Sequence, residues 1–362
     1  MKKKLGLALV AACAGPAFAQ IAATGAPIVN GSSMNMFGVL DAAVAWGDGS
    51  VNNNTRLVSG ANTSSRLGFR GVEDLGAHLG AGFWLEAGVN PDDGTGAPSN
   101  SNNQTTGAGT GSAITFYRRS TVSLMNDWGE LRLGRDFVAT YRNRDQSDPF
   151  STNGAGASLT DSTSIAGITK TRASNMVGYF LPAQFLGGFL GEAQYYMGET
   201  VGDSYGSGWQ GRLGYTTKLF GVAVAGGSTR YAQTPTTGDT DVWSVAGHLD
   251  FGWTRFTAGY FEDKVKQTTA LKGTGYIVGA VVPLDVSQIK LAYSVYGTDA
   301  TGDPQARKAA LGWVYNFSKR SAFYTTYAYV DNRGPSAVGL NGSTTAAGER
   351  SQGFDIGLKH SF

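Results

Sequence analysis

The chain has 362 residues, 41% of them hydrophobic and 15% charged, with 53 glycines. It is too long for one soluble sandwich and too glycine-rich and polar for a bundle of membrane helices. A formal charge of +2 gives no reason to expect a nucleic-acid partner.

At the start, Lys2, Lys3 and Lys4 precede the apolar run 5–14, and Ala17-Phe18-Ala19 follows. A basic end, a short apolar core and a small-x-small site make a secretory signal peptide, so residues 1–19 are expected to be removed between Ala19 and Gln20. The rival is a lipoprotein signal with Cys13 lipidated, which leaves an apolar core of 5–12 only. Cys13 is the one cysteine, so cleavage after Ala19 leaves no disulfide framework. Cleavage also removes three of the 29 basic residues and none of the 27 acidic ones, leaving 26 against 27 and a net charge of about −1.

After a polar lead, 20–33, sixteen segments read as strands. They are 34–46, 65–71, 79–89, 115–124, 130–137, 172–180, 187–197, 209–219, 222–231, 242–251, 254–264, 275–284, 288–296, 307–317, 322–330 and 351–362. Side chains alternate with period two, so each strand sorts its residues onto two faces. In 79–89, Leu79, Ala81, Phe83, Leu85, Ala87 and Val89 share one face, while Gly80, Gly82, Trp84, Glu86 and Gly88 share the other. In 65–71, Leu67 and Phe69 oppose Arg66, Gly68 and Arg70. Late strands repeat this: Ala309, Leu311, Trp313, Tyr315 and Phe317 lie opposite Lys308 and Asn316. Strands of about ten residues with one apolar face suit a tilted barrel in a bilayer.

Connections alternate between short and long. The short ones are 73–76, 126–129, 220–221, 252–253 and 318–320. The long ones are 47–64, 90–114, 138–171, 199–208, 232–241, 265–274, 297–305 and 331–350. Sorting by rim marks an outer-membrane barrel. Loops 90–114 and 331–350, rich in Gly, Ser, Thr and Asn, read as mobile surface loops. Trp46, Trp84, Trp128, Tyr179, Phe251, Trp253 and Phe317 sit near strand ends, as two interfacial girdles require. No domain boundary is visible within 20–362.

Several stretches are similar to the general, trimeric porins of Gram-negative outer membranes, in their β-proteobacterial form. These are Phe37-Gly-Val-Leu-Asp41, Ser65-Arg-Leu-Gly-Phe-Arg-Gly-Val-Glu-Asp-Leu-Gly76, Phe83-Trp-Leu-Glu86, Leu131-Arg-Leu-Gly-Arg-Asp136, Arg172-Ala-Ser-Asn175 and the terminal Phe362. The lead 21–32 is longer than such porins usually have. The resemblance implies an all-β, 16-stranded antiparallel barrel, assembled as a homotrimer in outer-membrane lipid and lipopolysaccharide. It also implies that loop 138–171 folds inward as the constriction, where a ladder of wall arginines faces acids from the loop. Phe362 would be read by the outer-membrane assembly machinery.

For the constriction, Arg66 and Glu86 lie on the polar faces of adjacent strands. An isolated Arg on a lipid face costs roughly 2–4 kcal/mol at the bilayer midplane, so the interior is the expected place for it. In 115–124, alternation puts Arg119 on the polar face with Thr121 and Ser123, whereas the resemblance puts Arg118 in the ladder. Arg172 joins the ladder by resemblance. Asp145 and Asp148 are the loop's acids, and Arg142 and Arg144 of the same loop could offset them. This makes five candidate positive charges against three negative, and a weakly anion-selective channel is expected.

Other chemistry is thinly represented. His78, His248 and His360 are scattered without Ser and Asp at motif spacing, so no enzyme is expected. Gly107-Ala-Gly-Thr-Gly111 has no preceding strand or following helix for a nucleotide loop. Asp92-Asp93-Gly94 reads as a solvated turn, and no metal or cofactor is expected. Three functions compete: a general diffusion channel for small ions and solutes, a substrate-specific channel of similar fold, and a non-conducting adhesin barrel.

Overall fold

The computed structural model describes residues 31–96, 99–101, 108–110, 115–182 and 187–362. The signal peptide, its cleavage site and Cys13 lie outside them.

Sixteen strands form one closed antiparallel wall. They are β1 (Ser33–Gly49), β2 (Arg66–Gly76), β3 (Leu79–Asn90), β4 (Arg119–Asn126), β5 (Gly129–Phe137), β6 (Arg172–Phe180), β7 (Phe189–Tyr196) and β8 (Gly208–Thr216). The wall continues with β9 (Phe220–Thr229), β10 (Asp239–Asp250), β11 (Arg255–Lys266), β12 (Leu271–Leu284), β13 (Ser287–Thr298), β14 (Gln305–Asn316), β15 (Ser321–Arg333) and β16 (Arg350–Ser361). Each pairs with its sequence neighbour, and β16 closes on β1 from Val39↔Ser361 to Gly49↔Ser351. Closure removes the open edges that lipid cannot hydrogen-bond. On the other side of β1, β2 pairs with Ser33–Val39 and the segment Asn54–Ser59 with Ala42–Gly47.

The alternation sets which face is outside. Val122, Leu124, Leu131, Leu133, Leu213, Val224, Leu311 and Leu358 are exposed on the outer surface. Asp41, Arg66, Glu86, Glu130, Arg132, Arg212 and Lys308 are buried on the inner side. This is a soluble protein turned inside out, and a hydrocarbon surround is what makes it stable.

The rims differ from the expectation in detail. β2 runs on to Gly76, so the turn is Ala77-His78 rather than 73–76. Both turn residues have positive φ, 51° and 63°, the geometry that matches strand twist in a two-residue hairpin. Likewise Phe220 and Gly221 begin β9, and the turn before them is 217–219. Trp128, Trp253, Phe251 and Phe317 project outward beside the short turns. Trp84 does not join a girdle: its indole Nε1 donates to Glu86 Oε2 at 3.2 Å, inside the barrel. Loop 331–350 is pinned rather than loose. Asn332 Nδ2 donates to Glu349 O at 2.7 Å, Asn341 Nδ2 to Asp355 Oδ1 at 2.8 Å, and Leu340 is buried. The missing side chains of Gly47 and Gly49 in β1 let the loop's backbone lie directly on that strand, since a Cβ there would stand 2.1 Å from Leu340 O and 2.3 Å from Thr344 O.

Between β5 and β6 the chain enters the barrel as α1 (Ala139–Ser147), α2 (Leu159–Ser162) and a 3-10 turn at Ile168–Lys170. Interior polar residues of successive strands hold this segment. Gln194 accepts from Ala139 N at 2.9 Å and Gln210 from Thr140 N at 3.0 Å. Asn143 donates to Ser244 Oγ at 3.1 Å, Arg144 meets Asp263 at 2.6 Å, and Thr257 Oγ1 donates to Ser147 O at 2.7 Å. Ser294 Oγ accepts from Leu159 N at 3.0 Å, and Asp355 accepts from Ala155 N at 2.8 Å. At Gly154, φ is 62° and a Cβ would stand 2.1 Å from Ala61 O, so only glycine fits there. The main cluster of buried apolar residues, which includes Phe150, Leu159, Tyr296 and Val330, lies where the segment meets β13 to β15.

Candidate functional site

Two linked groups of charges line the wall beside the inward segment. The first is centred on Glu86 of β3. Arg118 Nε lies 2.6 Å from Glu86 Oε1, and Arg66 Nε of β2 lies 3.9 Å from the same oxygen. Arg172, the first residue of β6, donates from Nε to the Arg118 carbonyl at 2.8 Å, and its guanidinium is 4.2 Å from the Phe137 ring centroid. Two guanidiniums thus share one carboxylate, and a third, that of Arg172, stands beside them on the Arg118 carbonyl.

The rivalry between Arg118 and Arg119 dissolves because β4 begins at Arg119. Arg118 precedes the strand, so alternation does not govern it, and its backbone N–H donates to Glu86 O at 3.1 Å. Arg119 lies inside with Thr121 and Ser123, as alternation expects. Its Nε is 3.8 Å from Asp136 and its guanidinium 4.5 Å from the Trp84 ring centroid.

Arg119 belongs to the second group. Arg132 binds Glu130 at 2.7 Å and also meets Asp136, while Arg142 reaches Asp136 at 3.3 Å and Glu192 at 2.9 Å. Arg212 lies 4.0 Å from Glu192 and donates to Asn143 Oδ1 at 2.8 Å. Four guanidiniums and three carboxylates form this network. Glu130, Arg132, Asp136, Glu192 and Arg212 were not singled out from the sequence. The signal was present, since 130, 132 and 136 share the polar face of one strand.

The loop residues have different surroundings. Arg144 is removed from the count of available charges: it is fully buried against Asp263. Asp148 turns into its own loop, where it accepts from the backbone N–H of Ser158 at 2.7 Å, Phe150 at 2.8 Å and Thr152 at 3.3 Å. Its carboxyl is still held above the usual range, because burial outweighs these bonds. Asp145, on α1, stays half-buried. Burial, with Asp148 and Asp161 nearby, pushes its carboxyl up to about 7, while Arg142 and Arg66 pull it down.

The residues expected at the site therefore divide. Arg66, Glu86, Arg118 and Arg172 come together on the wall, Asp145 lies within their field, and Asp148 is engaged by backbone.

A closed antiparallel barrel with an apolar exterior, a charged interior and an inward loop defines an outer-membrane channel. A profile of the Gram-negative porin family matches residues 6–335. Outer membrane porin protein 32 of Delftia acidovorans is 33% identical, over 96% of this chain and 98% of that one. An outer membrane porin protein of Bordetella pertussis is 24% identical over the full length of both. Among solved structures, the anion-selective porin from Comamonas acidovorans superposes with a TM-score of 0.81 at 32% identity, over 91% of this chain and 100% of that one. The chain belongs to the Gram-negative porin family. It is a non-enzymatic, general diffusion channel of the outer membrane, passing ions and small hydrophilic solutes passively.

Proposed function

We propose that this porin prefers anions weakly, and that Arg66, Arg118, Arg172 and Glu86, with Asp145 and Asp148 of the inward loop, form its constriction. One observation carries the reading: on the wall Arg66 and Arg118 share the single Glu86 carboxylate and Arg172 is held beside them by a backbone carbonyl, while the loop's Asp148 is occupied by backbone amides. Interior fields are focused by the low-dielectric wall, and salt screens them only over about 8 Å at physiological ionic strength. A local surplus of guanidinium thus outweighs the near-zero charge of the whole chain. The Comamonas relative is itself described as anion-selective.

The test is the zero-current potential across a planar bilayer in a potassium chloride gradient. A sign favouring chloride supports the reading and one favouring potassium overturns it. Competitive block by one particular solute would instead favour a substrate-specific channel.

Three further readings accompany it. The chain is made with residues 1–19 as a signal peptide and starts at Gln20, with the lipid-modified Cys13 form as the rival. It works as a homotrimer, among outer-membrane lipid and lipopolysaccharide. Phe362 marks it for the outer-membrane assembly machinery.

A further inference from the structure

Beside the Glu86 group, toward the short turns, lies a patch of one guanidinium and two aromatic rings. Trp84 and Arg70 are direct partners across β2 and β3, nearer the Ala77-His78 turn than the Gly68↔Glu86 pair. The Arg70 guanidinium is 5.0 Å from the Trp84 ring centroid and 5.3 Å from that of Phe37. The two rings meet edge to face at 5.3 Å. Gly68 makes room for this, since a Cβ there would stand 2.3 Å from the Phe37 ring.

The patch is accessible and electrostatically unspent. Arg70 is exposed, and among the described residues no carboxylate pairs with it. The carboxylates that face neighbouring Arg119, Glu130 and Asp136, are both already held by Arg132. Trp84 is fixed in orientation by its bond to Glu86, so the ring wall is preformed. A free guanidinium beside a fixed aromatic wall offers a carboxylate one partner and an aryl ring another.

We propose that Arg70, Trp84 and Phe37 form a subsite for small aromatic carboxylates on the short-turn side of the Glu86 group. The inference rests on the anion-preferring reading and adds a substrate class to it. Arg70 takes the carboxylate, while the edges of Phe37 and Trp84 take the ring, the Trp84 faces being already met by Arg70 and Arg119. Chloride and acetate use only the first contact.

The experiment compares benzoate with acetate as blockers of chloride current through the purified full-length porin in planar bilayers. Aromatic contacts predict half-block by benzoate at roughly two- to tenfold lower concentration than by acetate. Trp84→Leu is expected to bring the two ions within about twofold of each other. Phe37→Leu, which keeps the Trp84–Glu86 bond, should lower the ratio part of the way. Arg70→Gln should weaken block by both ions. Equal block of wild type by benzoate and acetate overturns the subsite, as does a benzoate preference that survives both ring substitutions. The zero-current potential in the same membranes keeps the two readings apart. A preference for potassium there overturns the anion reading, whereas equal block with chloride preference intact overturns the subsite alone.

Discussion

Phe362 and Gly38 exchange both backbone hydrogen bonds, at 3.0 and 3.1 Å, and the phenyl ring lies where a Cβ on Gly38 would stand 2.2 Å away. The last residue of the chain thus completes the seam between β16 and β1. Deleting Phe362 removes two backbone bonds, each worth about 0.5–1.5 kcal/mol, and opens an edge at the end of the seam. The expected outcome is a lower yield of folded, heat-modifiable protein and a lower urea midpoint for what does fold. Gly38→Val is expected to act in the same direction, by forcing the ring out. Unchanged yield and midpoint in both variants would show that the seam closes without this contact.

A second prediction concerns the inward segment. Arg144 and Asp263 form a pair with both side chains 1% exposed, and Asp263 also accepts from Ser164 at 2.6 Å and Tyr296 at 2.9 Å. Breaking a buried pair from one side leaves an uncompensated charge and costs about 3–5 kcal/mol. Asp263→Leu is therefore expected to loosen the segment from β11 and β13 while leaving the wall closed. Single-channel recording should show larger conductance with more current noise, at unchanged strand content by circular dichroism. Wild-type conductance in this variant would mean that the remaining anchors hold the segment unaided.

The strands were legible because one physical rule wrote them. Lipid outside and charge inside force a period of two through every wall strand, and all sixteen segments expected from it are present. The turn at Ala77-His78 was misplaced because Glu73 and Asp74 read as loop residues, although beyond the apolar band strands carry charge freely. α1 was invisible for a related reason: Ala139–Ser147 is bounded by polar wall residues, Gln194, Gln210 and Ser244 among them, and needs no apolar stripe. The Glu86 group could be assembled from alternation and family likeness. The second network could not be assembled in full, because Glu192 and Arg212 come from β7 and β8, and only the inward path of α1 brings Arg142 and Asn143 to them.

The loop also predicts a pH dependence. Asp145 has its carboxyl raised to about 7, chiefly by burial, with Asp148 and Asp161 adding to the rise and Arg142 and Arg66 opposing it. Below that value the loop loses a negative charge, and above it the charge is present. Anion preference should therefore strengthen as the solution is made mildly acidic and weaken as it is made mildly alkaline. Zero-current potentials measured on either side of neutrality check this, and Asp145→Asn should flatten the response between them. A wild-type potential that stays constant through neutrality would mean that Asp145 is already ionised well below it.

Charge reversal at the wall is the most direct test of selectivity. Arg118 makes the shortest contact with Glu86, 2.6 Å, and Arg66 shares the same oxygen at 3.9 Å. Arg66→Glu and Arg118→Glu together turn three guanidiniums and one carboxylate into one guanidinium and three carboxylates. Arg172 then stands alone, stacked on Phe137 and bound to a backbone carbonyl that either residue at 118 supplies. The second network retains its own near balance, so the sign at the wall should decide the outcome. The zero-current potential in a potassium chloride gradient is expected to move from the chloride side to the potassium side, with each single variant in between. Should the double variant still favour chloride, the selectivity would have to come from Arg119, Arg132, Arg142 and Arg212 instead. Reversing Arg119 would then produce the change that the Glu86 group had failed to give.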